Sequence, residues 1–154
     1  TRQFLSQGFY QINDKIWEKA REEAKSSEKN VPLEILASDI DADTVEIAIH
    51  NAKIAGVADA VAPAVGNVAD FATDLKYGTI ICNPPYGDAE QCKELYTLMG
   101  KAFSKLDKWS MYILTSNEDF EKSFGKKASK KRKLYNGMLK CNVYQYFGER
   151  PKIR

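Results

Sequence analysis

Apolar residues recur along the chain first at helical spacing and then in short runs, and that alternation predicts the fold. Phe9, Ile12, Ile16 and Ala20 fall at near-helical intervals among charges, which predicts an amphipathic helix from Phe9 to about Lys25. Polar residues 26–30 end it and Pro32 marks a new start. The apolar run from Leu33 to Ser38, ending at Asp39, predicts a buried strand. A helix follows: Asp41 or Asp43 can cap it, Glu46 can close a capping box on Asp43, and Gly56 ends it. Its expected core face is Val45, Ala48, Ile49 and Ala52. Val61–Val65 and Tyr77–Cys82 predict two more strands, the second running directly into Asn83-Pro84-Pro85-Tyr86-Gly87. A helix over about Ala89–Lys105, a strand over Trp109–Thr115 and a short helix over Asn117–Phe124 come next. Leu134–Leu139 and Asn142–Phe147 alternate as a closing antiparallel pair, with Tyr135, Tyr144, Tyr146 and Phe147 expected in its core. Strands alternating with helices of this length predict an α/β fold with a doubly wound, Rossmann-like sheet.

Composition narrows this little. A chain of 154 residues fits one domain, and a net charge of +2 carries no global signature, so any nucleic-acid argument must rest on local charge. No apolar run approaches the ~20 residues that span a bilayer, and no signal peptide opens the chain, so no membrane association is expected. Cys82, Cys92 and Cys141 are widely separated and His50 is the single histidine, so neither disulfides nor a metal site are expected and a cytoplasmic setting with reduced thiols is. Cys82, His50, Trp17 and Trp109 are assigned to packing or surface. The oligomeric state is not legible.

Ligands of such sheets bind beyond the carboxyl ends of the strands. Three strand ends here carry suitable groups. Asp39, Ile40 and Asp41 close the first strand, where a carboxylate can accept from both hydroxyls of a ribose; the plain alternative is that Asp39 or Asp41 caps the next helix. Asn67, Val68 and Asp70 follow the second, where an acceptor can meet an adenine amino group; a turn and helix start would look the same. Asn83-Pro84-Pro85-Tyr86 follows the third, and two prolines cannot continue a ladder. They hold a rigid turn displaying the Asn83 side chain and the Pro84 carbonyl. Two such acceptors orient an exocyclic amine toward an electrophilic methyl group and stabilise the positive charge that grows on nitrogen. Tyr86 offers a flat face for an extruded base.

The Asn83–Gly87 motif, the run Lys131-Arg132-Lys133-Leu134-Tyr135-Asn136-Gly137 and the run Phe124-Gly125-Lys126-Lys127-Ala128 together resemble a known group. It is the class I S-adenosylmethionine-dependent amino-methyltransferases, specifically the THUMP-linked bacterial enzymes often called N6-adenine-specific DNA methylases. The resemblance runs most clearly from Ile35 to Pro151, and characterised members make N2-methylguanine in large-subunit (23S) ribosomal RNA. It implies that Asp39 holds the ribose of S-adenosylmethionine, that residues 67–70 line its adenine, and that residues 83–86 do the chemistry. Members also carry a glycine-rich loop on a first strand, which has no counterpart ahead of Phe4, and a THUMP domain. They usually continue the motif with Glu-Arg, where Asp88 stands here. Residues 1–154 are therefore expected to be part of a methyltransferase catalytic domain within a longer protein.

Seven basic residues lie between Lys122 and Lys133. Lys126, Lys127, Lys130, Lys131, Arg132 and Lys133 are expected to form a phosphate-binding patch, the plain alternative being a solvated loop. Ribosomal RNA is the expected partner. The same motif suits methylation of adenine N6 in DNA or of a protein glutamine amide, and a catalytically inactive RNA-binding module would keep the basic run alone.

Overall fold

The computed structural model describes residues 4–29, 31–86 and 89–151. The chain divides near Ile35 into a small N-terminal unit and a main unit. The N-terminal unit carries helix α1 (Asp14–Ser26), which starts later than Phe9 because the Asn13 side chain caps it, accepting from Lys15 N at 3.0 Å. The expected apolar face is not buried: Ile16 is 59% exposed and Phe9 57%.

The main unit has the expected alternation. Strand β1 (Ile35–Asp39) pairs with β2 (Val61–Val65), joined by helix α2 (Ala42–Ala55). Asp41 caps α2, its carboxylate accepting from Asp43 N at 2.8 Å and Thr44 N at 3.4 Å, so the alternative box on Asp43 is not the one that forms. Gly56 ends it at φ 71°, the left-handed conformation that glycine adopts without a Cβ penalty. Val45 and Ala52 are buried, whereas Ile49 and His50 are exposed. β1 is not the buried strand its apolar run predicts, since Leu36 is 57% and Ile35 48% exposed.

A second sheet has the order β3-β4-β6-β5, from β3 (Thr79–Cys82), β4 (Ser110–Thr115), β5 (Lys130–Asn136) and β6 (Leu139–Tyr146). β3 and β4 run parallel, while β4–β6 and β5–β6 are antiparallel. β3 begins at Thr79 rather than Tyr77 because Tyr77 sits at φ 64°. Helices α3 (Ala89–Phe103) and α4 (Phe120–Phe124) cover one face of this sheet. Cys92, Tyr96, Met99 and Phe103 recur at helical spacing on α3 and meet Phe120 and Phe124 of α4, Met111 and Ile113 of β4, and Tyr144 and Tyr146 of β6. Each buried phenol finds a partner: Tyr96 shares a hydrogen bond with Thr115 Oγ1 at 2.9 Å, and Tyr144 and Tyr146 donate to the Asn117 and Lys126 carbonyls at 3.0 Å each. The opposite face bears Ile81, 85% exposed.

The closing hairpin differs from expectation. Its turn is Gly137-Met138, between the paired Asn136 and Leu139, so Lys130–Lys133 belong to strand β5 and not to a loop. Gly137 at φ 61° supplies the left-handed residue such two-residue turns need. Tyr144 and Tyr146 are buried as expected, but Tyr135 is 63% and Phe147 56% exposed.

Candidate active site

The distinctive residues lie just beyond the carboxyl ends of β1, β2 and β3, where α/β folds place their ligands. At β1, one Asp39 carboxylate oxygen accepts from Asp41 N at 2.9 Å, and the other has no partner among the described residues. The Asp39 carbonyl accepts from Gly66 N at 2.9 Å, which ties the end of β1 to the residue before Asn67. Asn67 caps the 3₁₀ turn Val68–Asp70, its Oδ1 accepting from Ala69 N at 2.9 Å. The exposed Asp70 carboxylate is an open acceptor of this segment, alongside the second lone pair of Asn67 Oδ1. Val68 and Phe71 pack on the main core, with Phe71 edge-on to Phe103 and Trp109, so the segment is anchored to the sheet that carries the third strand end. Ile40 is 72% exposed.

At β3, Pro84 is buried while Asn83 and Pro85 are exposed and Tyr86 is half-buried. Burial of Pro84 and acceptance by the Pro85 carbonyl from Cys92 Sγ at 3.4 Å pin the turn to α3. Gly87, the motif's last residue, lies outside the described residues. The Tyr86 hydroxyl donates to Asn83 Oδ1 at 2.6 Å. An amide oxygen has two lone pairs, so this bond fixes the amide's rotation and leaves one acceptor site for a substrate N–H. Burial holds the Tyr86 hydroxyl above its usual pKa, with nearby Cys141 adding to the rise and a hydrogen bond with the Asn136 side chain opposing it. Cys82, one residue before Asn83, is pushed by burial up to about 11, which leaves a protonated thiol and no nucleophile.

Asn136 and Cys141 thus influence the Tyr86 hydroxyl, although neither stands out as a candidate in the sequence. Gly137-Met138, with glycine at the first position of a two-residue turn, is the signal that would have found them, since a turn there returns β6 across the strand ends. The basic run separates by position. Lys126 and Lys127 precede β5, and the Lys126 ammonium lies over the Tyr146 ring at 5.8 Å. Lys131 is held by an ion pair to Glu121 and lies over the Tyr144 ring at 5.2 Å. Arg132 pairs with Val143 and Lys133 with Asn142, which are themselves opposite Leu114 and Thr115 at the carboxyl end of β4. Arg132 shares its face of the hairpin with Asn136 and Cys141, because residues directly opposite or two apart point the same way. Arg132 and Lys133 are therefore the cations of the run nearest the Asn83 turn; Lys130 lies two rows further back.

The chain spans less than half the length of the curated relatives it matches. A curated relative, "Putative RNA methyltransferase YpsC" of Bacillus subtilis (strain 168), is 45% identical over 157 residues, covering 98% of this chain and 41% of that protein. Ribosomal RNA large subunit methyltransferase K/L of Legionella pneumophila (strain Lens) is 33% identical over 134 residues, covering 84% of this chain and 19% of that one. Among solved structures, SMU.472 in complex with SAH superposes with a TM-score of 0.86 at 39% identity, over 99% of this chain and 42% of that one. The family model of the RMKL-like methyltransferase domain matches residues 2–145. With the Asn83 turn at the carboxyl edge of an α/β sheet and the match spanning nearly the whole chain, this chain belongs to the RMKL-like methyltransferase-domain family.

Proposed function

We propose that this chain is part of the catalytic domain of an S-adenosylmethionine-dependent methyltransferase acting on an exocyclic amine of an RNA base, N2 of guanine in large-subunit ribosomal RNA. The observation that carries the reading is the Asn83–Tyr86 turn: an exposed amide at a parallel strand end, with its oxygen oriented by a 2.6 Å bond from Tyr86. The names of the relatives support the cofactor and the substrate class, one being a complex with SAH and another a large-subunit ribosomal RNA methyltransferase.

The residues present suit the cofactor. Asp39 offers a carboxylate oxygen without a partner among the described residues at a strand end, where a ribose can donate two hydroxyls. Asp70 offers an exposed acceptor for the adenine amine, while Ile40 and Val68 supply apolar surface and Asp41 and Asn67 shape the two turns. The bound cofactor supplies an electrophilic methyl group on a positively charged sulfur. Asn83 Oδ1 and the Pro84 carbonyl each accept one N–H of the target amine and aim its lone pair. On accepting that methyl group the amine nitrogen would gain positive charge, and those two oxygens would stabilise it until a proton left to water. Pro85 keeps the turn rigid and Tyr86 lies against the base. Placement and electrostatics carry the acceleration, with no strong base required.

Lys130, Arg132 and Lys133 are read as phosphate contacts and Lys126, Lys127 and Lys131 as their periphery. The rest of the catalytic domain, supplied by a longer protein, is expected to cover the exposed Ile81 and Leu36; the lengths of the relatives fit this. The test is nucleoside mass spectrometry on ribosomal RNA and genomic DNA from cells lacking the full-length gene, complemented with wild type or Asn83→Ala. Loss of N2-methylguanosine restored only by wild type supports the reading. Loss of N6-methyladenine from DNA, or no change in either, overturns it.

A further inference from the structure

The β5–β6 hairpin reaches past the sheet it closes. β4 ends at Thr115, opposite Asn142, whereas β6 begins at Leu139 and β5 runs on to Asn136. Three paired rows therefore overhang the carboxyl edge, an extension of roughly 10 Å at the rise of a strand. The overhang rises from the same carboxyl edge as the Asn83 turn, since β3 ends at Cys82 beside Ile113 of β4 and β4 pairs in turn with β6, and Cys141 at its base is fully buried. Its tip is apolar and open: Met138 is 99% exposed, and Leu139 beside it 44%. The turn has two residues with Gly137 at φ 61°, so the methionine stands on a stiff support rather than a floppy loop. Below it, β5 presents Lys130, Arg132 and Lys133 to solvent.

An exposed methionine on a rigid turn does nothing for the fold, and its unbranched, polarisable thioether suits insertion into an irregular apolar gap. A stacked nucleic acid offers such a gap between base steps, and apolar wedges flanked by cations are a known way to open one. A base in a stack also cannot reach Asn83 without being extruded. We propose that the Met138 tip is a wedge that enters the RNA base stack next to the target nucleotide and holds open the gap from which the base swings to Asn83 and Tyr86. The basic strand behind it grips the backbone and sets the depth of entry. This rests on the RNA reading above.

The test uses the full-length protein, as wild type, Met138→Ala and Met138→Leu, with S-adenosylmethionine. Methyl transfer is measured into two probes: folded large-subunit ribosomal RNA from cells lacking the gene, and the same RNA hydrolysed to short unstructured fragments. Backbone acylation of the folded RNA, with each protein bound, reports nucleotides that become unstacked. Met138→Ala is expected to lose transfer into folded RNA on the order of tenfold, the scale of one lost apolar insertion. It should keep wild-type transfer into fragments within about twofold, and Met138→Leu should restore the folded substrate. Wild type should create new acylation beside the methylated site, and Met138→Ala should not. Equal acylation by both proteins, or equal losses on both probes, overturns the wedge while leaving the RNA reading intact. Wild type that methylates neither probe overturns the RNA reading, and the wedge with it.

Discussion

At the scale of single residues, Asn83 and Tyr86 act as a pair, and the bond between them gives the two positions different predicted penalties. Asn83→Ala removes the acceptor for the amine and should lower turnover by a factor on the order of 10² or more, with S-adenosylmethionine binding nearly unchanged in calorimetry. Tyr86→Phe keeps the stacking face but frees the Asn83 amide to rotate. Loss of one neutral hydrogen bond of about 1 kcal/mol should lower kcat by roughly five- to tenfold, with little effect on KM. Wild-type turnover in either variant would remove that residue from the mechanism. The Asn-Pro-Pro-Tyr turn was legible in the sequence because two prolines after an apolar run leave few local structures. The Tyr86–Asn83 bond was not, because a hydroxyl three residues on can point to many partners until burial of Pro84 fixes the turn. Nor was the capping role of Asn67, which depends on its side-chain oxygen taking the Ala69 amide.

At the scale of elements, β5 and the α3–α4 contact turn packing into placement. Four consecutive basic residues read as loop by charge, yet they form a strand because Gly137-Met138 turns the chain and β6 brings an apolar partner face. The strand splits the run. Lys131 is committed to Glu121, whose carboxylate also accepts from Ala128 N at 2.7 Å. Among the described residues, Arg132 and Lys133 have no carboxylate partner. In the full-length protein, Arg132→Ala and Lys133→Ala should each flatten the slope of log RNA affinity against log salt by about 0.7–0.9, whereas Lys131→Ala should change it less. Filter binding over a salt series measures this, and equal slopes for all three variants would contradict the assignment. The α3–α4 contact is just as position-specific. A Cβ on Gly100 would lie 2.1 Å from the Phe124 carbonyl oxygen, an atom that cannot swing aside. Gly100→Ala gains about 1 kcal/mol of helix propensity but should cost about 1–3 kcal/mol in forced separation. A net loss in urea denaturation is therefore expected, and a net gain would mean that the two helices are not held this close.

At the scale of the whole molecule, the α/β alternation, the order of elements and the presence of a closing hairpin, though not the place of its turn, were legible, because local periodicity determines them. Which apolar faces end up covered was not. Leu36 and Ile81 sit in runs that read as buried, and they are exposed because cover depends on partners that no local pattern encodes. What is covered sets the response to pH. Burial raises the pKa of Tyr96, Tyr144 and Tyr146, and that of Cys82 from 9.0 to about 11. For such groups the neutral form is favoured in the fold, so their contribution is complete below the unfolded pKa and is lost as pH rises toward the folded one. The carboxylates with lowered values, Asp107, Glu118 and Glu121, work in the opposite sense and lose their contribution only as pH falls. Asp107 and Glu118 sit in solvent-exposed ion pairs, which contribute little. The two limbs should therefore be unequal: the urea midpoint should change little on mild acidification and should decline above about pH 9. Cys82 titrates first, and over the interval from 9 to 11 it accounts for about 2 kcal/mol. Cys82→Ala, which cannot ionise, should remove that first part of the decline while leaving the later, phenolic part in place. A variant whose alkaline decline begins at the same pH as wild type would show that the thiol is more solvated than its place in β3 implies.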